Sequence, residues 1–171
     1  MTSWALTAER GAGKSTLAAE AARVLGARHV SVSGWLRATL VAAGEADGPD
    51  ELRAVGARAA ADPGRLVQDA LSHAGWSPGE AVLFDAVRHV EVLTALRTAV
   101  APDAVVHVAL ALPNSARLRR LTGRGDAHAA LGGAEHSTEA QVSALIHAAD
   151  HVLDAQRSVT ELVNDLRRLA A

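Results

Sequence analysis

A glycine-rich stretch near the start of the chain constrains the fold more than any other part of the sequence. It reads Ala8-Glu9-Arg10-Gly11-Ala12-Gly13-Lys14-Ser15-Thr16. An apolar run at 4–6 precedes it, and the segment 17–25 that follows has the apolar spacing of a helix. Strand, glycine-rich loop, Gly-Lys-Ser and helix in this order are typical of a phosphate-binding loop in an α/β domain. The alternative is a chance Gly-Lys-Ser at a helix start.

The residue types in this stretch match the chemistry of triphosphate binding. Gly11 and Gly13 let backbone N–H groups turn toward phosphate oxygens, and the helix that begins near Lys14 adds its positive dipole end. Lys14 is predicted to contact the β- and γ-phosphates, and the Ser15 hydroxyl to bind Mg²⁺. Ala8 stands where the usual pattern has its first glycine. The predicted nucleotide-binding residues are Arg10, Gly11, Ala12, Gly13, Lys14, Ser15 and Thr16.

Composition favours an ordinary globular protein. Of the 171 residues, 49% are hydrophobic and 21% are charged, and the net charge is -2. That charge gives no electrostatic footprint for nucleic acid or a membrane surface, and no apolar run is long enough to span a bilayer. Because cysteine is absent and no leader segment is evident, we expect a cytoplasmic protein.

Strand-like and helix-like segments alternate along the rest of the chain. The predicted strands are 4–6, 28–32, 81–84, 104–110 and 151–153, and the continuous apolar run 81–84 is typical of a strand buried on both faces. Helices are predicted to start at Ser33, Asp62-Pro63, Thr138 and Ser158, and 126–135 is predicted to be a loop. The alternation predicts one α/β domain, 1–171, with a parallel sheet covered on both faces.

Four later segments carry motifs in a familiar order. Segment 30–38 resembles the Ile-Ser-Thr-Gly-Asp-Met-Leu-Arg-Ala stretch of adenylate kinases, and 84–89 resembles the Asp-Gly-Val-Arg of shorter relatives. Segment 117–124 is similar to an arginine run that opens a lid, and 149–154 to the segment before a last helix. Nearly the whole chain thus resembles the nucleoside-monophosphate-kinase group of P-loop kinases, which includes adenylate kinases, deoxynucleotide kinases and dephospho-CoA-kinase-like proteins.

This resemblance implies a three-layer fold with a five-stranded parallel sheet in the order 2-3-1-4-5. It also implies ATP as the phosphoryl donor and Mg²⁺ as the metal. Acceptor-binding helices are implied at about 33–75, and a short lid at about 120–137. Arg37 matches the arginine that holds the acceptor's phosphate in that group.

Charged residues after the predicted strands support these roles. Asp85 ends a buried strand, at the sheet edge where ligands bind in open α/β folds, and is predicted to hold Mg²⁺ beside Ser15. A helix N-cap is the alternative role for this aspartate. Arg37 and Arg88 also follow strands and suit capture of an anionic acceptor, although each alone could be a surface residue.

Three further residues complete the predicted site. Arg120 and Arg124 are one helical turn apart, so they are predicted to share a face and to clamp the transferring phosphoryl group. Trp35 is predicted to line the acceptor pocket, with packing against the sheet as the alternative.

The acceptor motifs depart from the adenylate kinase pattern. Val32 replaces a threonine, Gly34 an aspartate and Ala86 a glycine, and no proline precedes Arg88. These changes argue against ordinary AMP recognition and leave the donor side intact. Shikimate-type and gluconate-type kinases would need acceptor-side carboxylates that the sequence does not show.

The predicted function is ATP- and Mg²⁺-dependent transfer of the γ-phosphoryl group to a nucleoside monophosphate or a similar phosphate-bearing small molecule. The predicted catalytic residues are Lys14, Asp85, Arg120 and Arg124. One alternative is a kinase that phosphorylates a hydroxyl of a non-nucleotide metabolite, and another is a non-catalytic ATP-binding regulatory protein. We expect a small-molecule partner, no nucleic acid or membrane, and a monomer or homodimer.

Overall fold

The computed structural model describes residues 1–123 and 137–170, with only the backbone described at 137–140. Within these ranges the strands are β1 Thr2–Ala8, β2 Arg28–Ser31, β3 Val82–Asp85, β4 Ala104–Ala111 and β5 His151–Asp154. The helices are α1 Lys14–Leu25, α2 Val32–Ala42, α3 Pro49–Ala60, α4 Pro63–His73, α5 Val90–Ala99, α6 Asn114–Gly123, α7 Ser137–His147 and α8 Val159–Arg168. In the described part of the chain, no helix has the length and apolar character needed to cross a membrane.

The five strands form one parallel sheet in the order β2-β3-β1-β4-β5, which confirms the predicted fold class. The central strand is β1, where Leu6 is paired with Asp85 of β3 on one side and with Val108 of β4 on the other. All four residues of β3 are buried, as the continuous apolar run predicts.

Side chains that alternate along the strands supply two hydrophobic cores, one on each face of the sheet. Trp4 and Leu6 of β1 face a core that α1 and α8 cover. The Trp4 indole N–H also donates to the Leu166 carbonyl at 3.3 Å, which ties α8 to the central strand. Ala5 and Phe84 face the opposite core, which α4, α5 and α7 cover. The molecule therefore has the predicted three layers.

The carboxyl edge of the sheet is where the candidate site forms. At this edge β1 leads into the loop 9–13, β2 leads into α2, and Asp85 ends β3. Helix α4 returns the chain to the start of β3, so its N-terminus also lies at this edge. Ligands bind at this edge in open α/β sheets because loops from neighbouring strands meet there.

Helix starts agree with the sequence predictions at two positions and differ at two, one of which is α7, which begins at Ser137 and not after Thr138. The Asp62 carboxylate accepts from the Arg65 N–H at 3.0 Å, and Ser158 forms a capping box with Glu161, so both predicted N-caps are confirmed. The prediction of Ser33 is wrong, because Ser31 caps α2 by accepting from the Gly34 N–H at 3.2 Å. Strand β2 ends one residue earlier than predicted, which leaves Ser31 extended and free to cap. The predicted loop 126–135 lies outside the described residues.

Ala8 has a simple structural explanation. It is the last residue of β1, is paired with Leu110 of β4, and is only 2% exposed. Its backbone is therefore still extended, and its methyl group is part of the core beside α1 and α8. The sharp turn begins only after it, so the position does not require glycine.

Candidate active site

The glycine-rich loop turns back on itself directly after β1. The Ala12 N–H donates to the Glu9 carbonyl at 3.2 Å, and Gly11 and Gly13 both have φ of 90°. That conformation strongly favours glycine. Space also requires it at Gly11, because a Cβ there would lie 3.1 Å from Cγ of Leu121 in α6. The loop is thus shaped by its own backbone and by α6 packed against it.

The N-terminus of α1 carries no internal cap. Gly13 occupies the N-cap position in the left-handed conformation, no side chain caps the helix, and its first turn contains no acidic residue. The first N–H groups of a helix have no intrahelical partners, and the helix dipole places positive charge there. Lys14, Ser15 and Thr16 occupy that turn. This end of α1 is therefore suited to bind an anion such as phosphate.

Lys14 and Asp85 form an ion pair across the sheet edge. The Lys14 ammonium donates to Oδ1 of Asp85. The side chain of Asp85 is 1% exposed and that of Lys14 is 14% exposed. The contact follows from the strand order, because β3 lies next to β1 and its last residue therefore ends beside the loop.

Asp85 is ionised in this setting. Burial, the largest single influence, raises the pKa of its carboxyl, but the neighbouring His29 ring, the Lys14 ammonium and the Ser15 hydroxyl together lower the pKa below its ordinary value. The site therefore contains a buried carboxylate beside the glycine-rich loop.

One oxygen of this carboxylate is available to a metal ion. Oδ2 of Asp85 is buried and has no hydrogen-bond partner among the described residues. Nε2 of His29 is 3.8 Å away, beyond hydrogen-bond distance, and it too lacks a partner there. Mg²⁺ prefers oxygen ligands and usually binds proteins through one or two of them while keeping waters. The Asp85 carboxylate and the Ser15 hydroxyl fit that ion.

Arg120 of α6 links the glycine-rich loop to the segment that follows β5. Its guanidinium donates to the Ala12 carbonyl at 3.1 Å and to the Ala155 carbonyl, just after β5, at 3.0 Å. Arg117, on the same helix, pairs with Glu9 at 3.2 Å. Helix α6 therefore fixes the loop through two arginines.

The predicted acceptor residues occupy different surroundings. Arg88 is half-buried and follows Asp85 by three residues. Arg37 is 55% exposed and pairs with Asp47 at 3.4 Å on the outer surface. Trp35 is half-buried and lines a cleft of ≈ 330 Å³ between α2, α3 and α4. Two residues along a helix correspond to about 200° of rotation, so Trp35 and Arg37 point to opposite sides of α2.

Comparison with solved structures places this architecture among known proteins. A candidate kinase from Chloroflexus aurantiacus J-10-fl is 17% identical, with a TM-score of 0.62 over 99% of this chain and 95% of that one. Shikimate kinase from Bacteroides thetaiotaomicron is 16% identical, with a TM-score of 0.57 over 99% and 98%. A gluconokinase from Sinorhizobium meliloti 1021 is 17% identical, with a TM-score of 0.54 over 99% and 93%. The fold is that of P-loop small-molecule kinases. No protein-family model and no curated protein matches the sequence.

The kinase fold brings together part of the predicted site. Lys14, Ser15 and Asp85 meet at the loop, where they were predicted to meet, and Arg120 also lies there. Arg37 does not join them, since it faces solvent beside Asp47. Arg124 and most of the predicted lid lie outside the described residues.

Two residues at the site are not predicted from the sequence. His29 approaches the free oxygen of Asp85 from β2, and its only signal in the sequence was a histidine two positions before a strand end. Arg58, near the end of α3, lines the same cleft as Trp35. The sequence presented it as one of several helix arginines, and only the packing of α3 against its neighbours distinguishes it.

Proposed function

We propose that this protein is an ATP- and Mg²⁺-dependent phosphotransferase that transfers the γ-phosphoryl group to a small phosphate-bearing acceptor such as a nucleoside monophosphate. The observation that carries the proposal is the buried Lys14–Asp85 pair beside the uncapped N-terminus of α1. A lysine and a carboxylate held at a phosphate-binding loop match the charges that phosphoryl transfer requires.

On the donor side, each group has a distinct task. The loop amides and the first turn of α1 would bind the phosphates, and the Lys14 ammonium would move from Asp85 to the β- and γ-phosphates. Asp85 and Ser15 would then hold Mg²⁺, which when bound neutralises charge on those phosphates. Transfer forms a bond between an acceptor oxygen and the γ-phosphorus and breaks the bond to the β,γ-bridging oxygen. Positioning and charge stabilisation account for the catalysis, without a covalent intermediate.

On the acceptor side, Arg88 would bind the acceptor's phosphate. It follows Asp85 by three residues, so an anion held there would lie near the donor loop, and a guanidinium can bind it through two parallel hydrogen bonds. Arg120, together with Arg124, would stabilise the transferring group once nucleotide is bound. A phosphate acceptor needs no general base, because its oxygen is already ionised at neutral pH.

A second candidate function is phosphorylation of a hydroxyl on a non-nucleotide metabolite. It is supported by the similarity in fold to a gluconokinase and a shikimate kinase. It is also supported by the Asp85 carboxylate, whose lowered pKa keeps it ionised and therefore able to accept a hydroxyl proton. The two functions differ in whether the acceptor must lose a proton.

An ATP-consumption screen separates the possibilities. Purified protein with Mg²⁺ and ATP would be offered nucleoside monophosphates, sugar acids such as gluconate, shikimate, and neutral alcohols, with ADP formation as the readout. We expect turnover with at least one monophosphate. Turnover only with hydroxyl acceptors would support the second candidate, and tight ATP binding without turnover on any acceptor would contradict both.

A further inference from the structure

The cleft beside Trp35 lies where the remote part of an acceptor would sit. It is lined by Trp35 of α2, by Val55, Arg58 and Ala59 of α3, and by Asp62, Arg65, Leu66 and Asp69 around the start of α4. Both α2 and α4 begin at the carboxyl edge of the sheet, over β2 and β3. Asp85, at the end of β3, lies between this cleft and the loop that follows β1. A molecule in the cleft would therefore approach the loop from the side opposite to α6.

The ionic residues around the cleft differ in their partners. Asp62 caps α4 through the Arg65 N–H at 3.0 Å, and the Arg65 guanidinium pairs with Asp69 at 3.5 Å. The Arg58 side chain has no hydrogen bond or ion pair within residues 1–123 and 137–170. Arg58 is thus the arginine of this cleft whose guanidinium is not already paired with a carboxylate among the described residues. A guanidinium donates and cannot accept, so its partner must present an oxygen or another acceptor.

The rest of the lining is apolar. The indole of Trp35 packs against the core cluster that contains Phe84 while one part of it remains exposed to the cleft. Val55, Ala59 and Leu66 supply the other apolar surfaces. A volume of ≈ 330 Å³ is near the lower end for small-molecule pockets. An apolar cleft of this size suits one planar ring, because such a ring can stack on the exposed part of the Trp35 indole.

We infer that this cleft selects an acceptor with a planar ring that stacks on Trp35 and carries an oxygen bound by Arg58. The inference rests on the proposed function and names its acceptor class: ring-bearing nucleotides whose base has a carbonyl oxygen, in preference to acyclic sugar acids. A polyol acceptor would leave several of its hydroxyl groups facing apolar side chains without hydrogen-bond partners, which disfavours its binding. Arg58, and not Arg37, is then the arginine of the helical region that determines acceptor specificity.

Tryptophan fluorescence tests this binding without requiring catalysis. The chain has three tryptophans; Trp4 is 3% exposed within the core, and Trp76 donates to the Glu80 carbonyl, away from the cleft. Titration with GMP, UMP and CMP should quench the emission of the wild-type protein, and AMP, whose base has no carbonyl oxygen, should quench it more weakly. Gluconate, shikimate and inorganic phosphate should leave the emission unchanged. The Trp35→Phe variant should lose the response to every nucleotide.

A matched pair of arginine variants on α3 tests the specificity residue. Arg58→Ala should weaken GMP and UMP binding by about 10-fold or more, measured by calorimetry, and should reduce their advantage over AMP. Arg53→Ala is the control, since Arg53 is 59% exposed and pairs with Asp50 on the same helix; its affinity should stay within about twofold of wild type.

The outcomes separate this inference from the proposed function. Nucleotide quenching that survives in Trp35→Phe, equal losses in the two arginine variants, or binding of gluconate or shikimate alone would overturn the inference. Turnover of ATP with gluconate as acceptor would leave a phosphotransferase standing and remove the ring-bearing acceptor. Ring-dependent binding at Trp35 without phosphoryl transfer would support the cleft assignment and contradict the phosphotransferase.

Discussion

In the proposed function, the donor and acceptor halves of the site lie on different structural elements. The donor half uses the loop after β1 and the end of β3, two neighbouring strands at the centre of the sheet, and its Asp85 side chain is 1% exposed. The helical part of the acceptor half is formed by α2, α3 and α4 beyond the edge of those strands, and its predicted arginine, Arg37, is 55% exposed. Strand register fixes the donor half, whereas helix packing sets the acceptor half. Substitutions can therefore change the acceptor with little effect on the phosphate-binding loop.

The largest effect should come from Lys14→Ala, which removes the donor half's positive charge. Without this ammonium, charge that develops on the γ-phosphoryl group loses its protein partner, so we expect kcat to fall on the order of 10³-fold in the ATP-consumption assay. Stability should fall as well, because the ionised Asp85 carboxylate would remain buried without its cation, a loss of about 3 kcal/mol measured by urea unfolding.

A double variant separates the two consequences of that change. Adding Asp85→Asn to Lys14→Ala removes the unpaired charge, so the free energy of unfolding should recover in large part while activity stays absent. Full activity in Lys14→Ala would contradict the donor mechanism. An unfolding free energy equal to wild type in Lys14→Ala would contradict the buried ion pair.

The contrast between the halves also explains what the sequence could predict. Gly11, Gly13, Lys14 and Ser15 act through local backbone geometry, and local geometry is encoded by adjacent residues, so the loop was predictable in detail. Asp85 was predictable because a buried parallel strand must end at the ligand-binding edge.

The missed residues depend on packing between distant elements. His29 reaches Asp85 only because β2 and β3 are neighbours in the sheet, and Arg58 reaches the cleft only because α3 packs against α2 and α4. The prediction of Arg37 rests on a motif, whereas the direction of its side chain depends on the position of α2. The sequence predicts that α2 begins after Ser33, but its N-cap is Ser31.

A smaller and more selective effect is expected from Arg88→Ala on the acceptor half. Loss of charge-assisted hydrogen bonds to the acceptor's phosphate should raise the acceptor KM on the order of 10- to 100-fold and leave the KM for ATP nearly unchanged. Steady-state kinetics with each substrate varied in turn measures both constants. Arg88→Lys keeps the charge but not the paired geometry, so it should recover only part of the loss. Equal rises in both KM values would mean that Arg88 belongs to the donor half.

The smallest effect should come from a change to the series of buried hydrogen bonds that links the two halves. The Thr7 hydroxyl, on β1, donates to the Val87 carbonyl at 3.1 Å, next to Arg88 in the chain. The same oxygen is 2.8 Å from Nε2 of His107, so it accepts from this ring as an Nε2–H donor. Through this chain, the central strand that carries the loop also holds the segment that presents Arg88.

Acidification should lower the stability of the fold around His107. Burial lowers the pKa of His107, with Asp150 opposing the shift and Arg97 adding to it. The unfolded chain therefore takes up a proton that the folded state resists, so stability is full above the ordinary histidine pKa and is lost as pH falls below it. The slope for one histidine is at most about 1.4 kcal/mol per pH unit.

Urea unfolding at pH 7.5 and 5.5 measures this loss, and His107→Gln, which keeps an N–H donor but cannot titrate, should reduce it. His73→Gln, at an exposed position on α4, should keep the wild-type dependence. An unchanged pH dependence in His107→Gln would show that the ring is not held neutral, because a neutral buried imidazole must contribute a loss of stability on acidification.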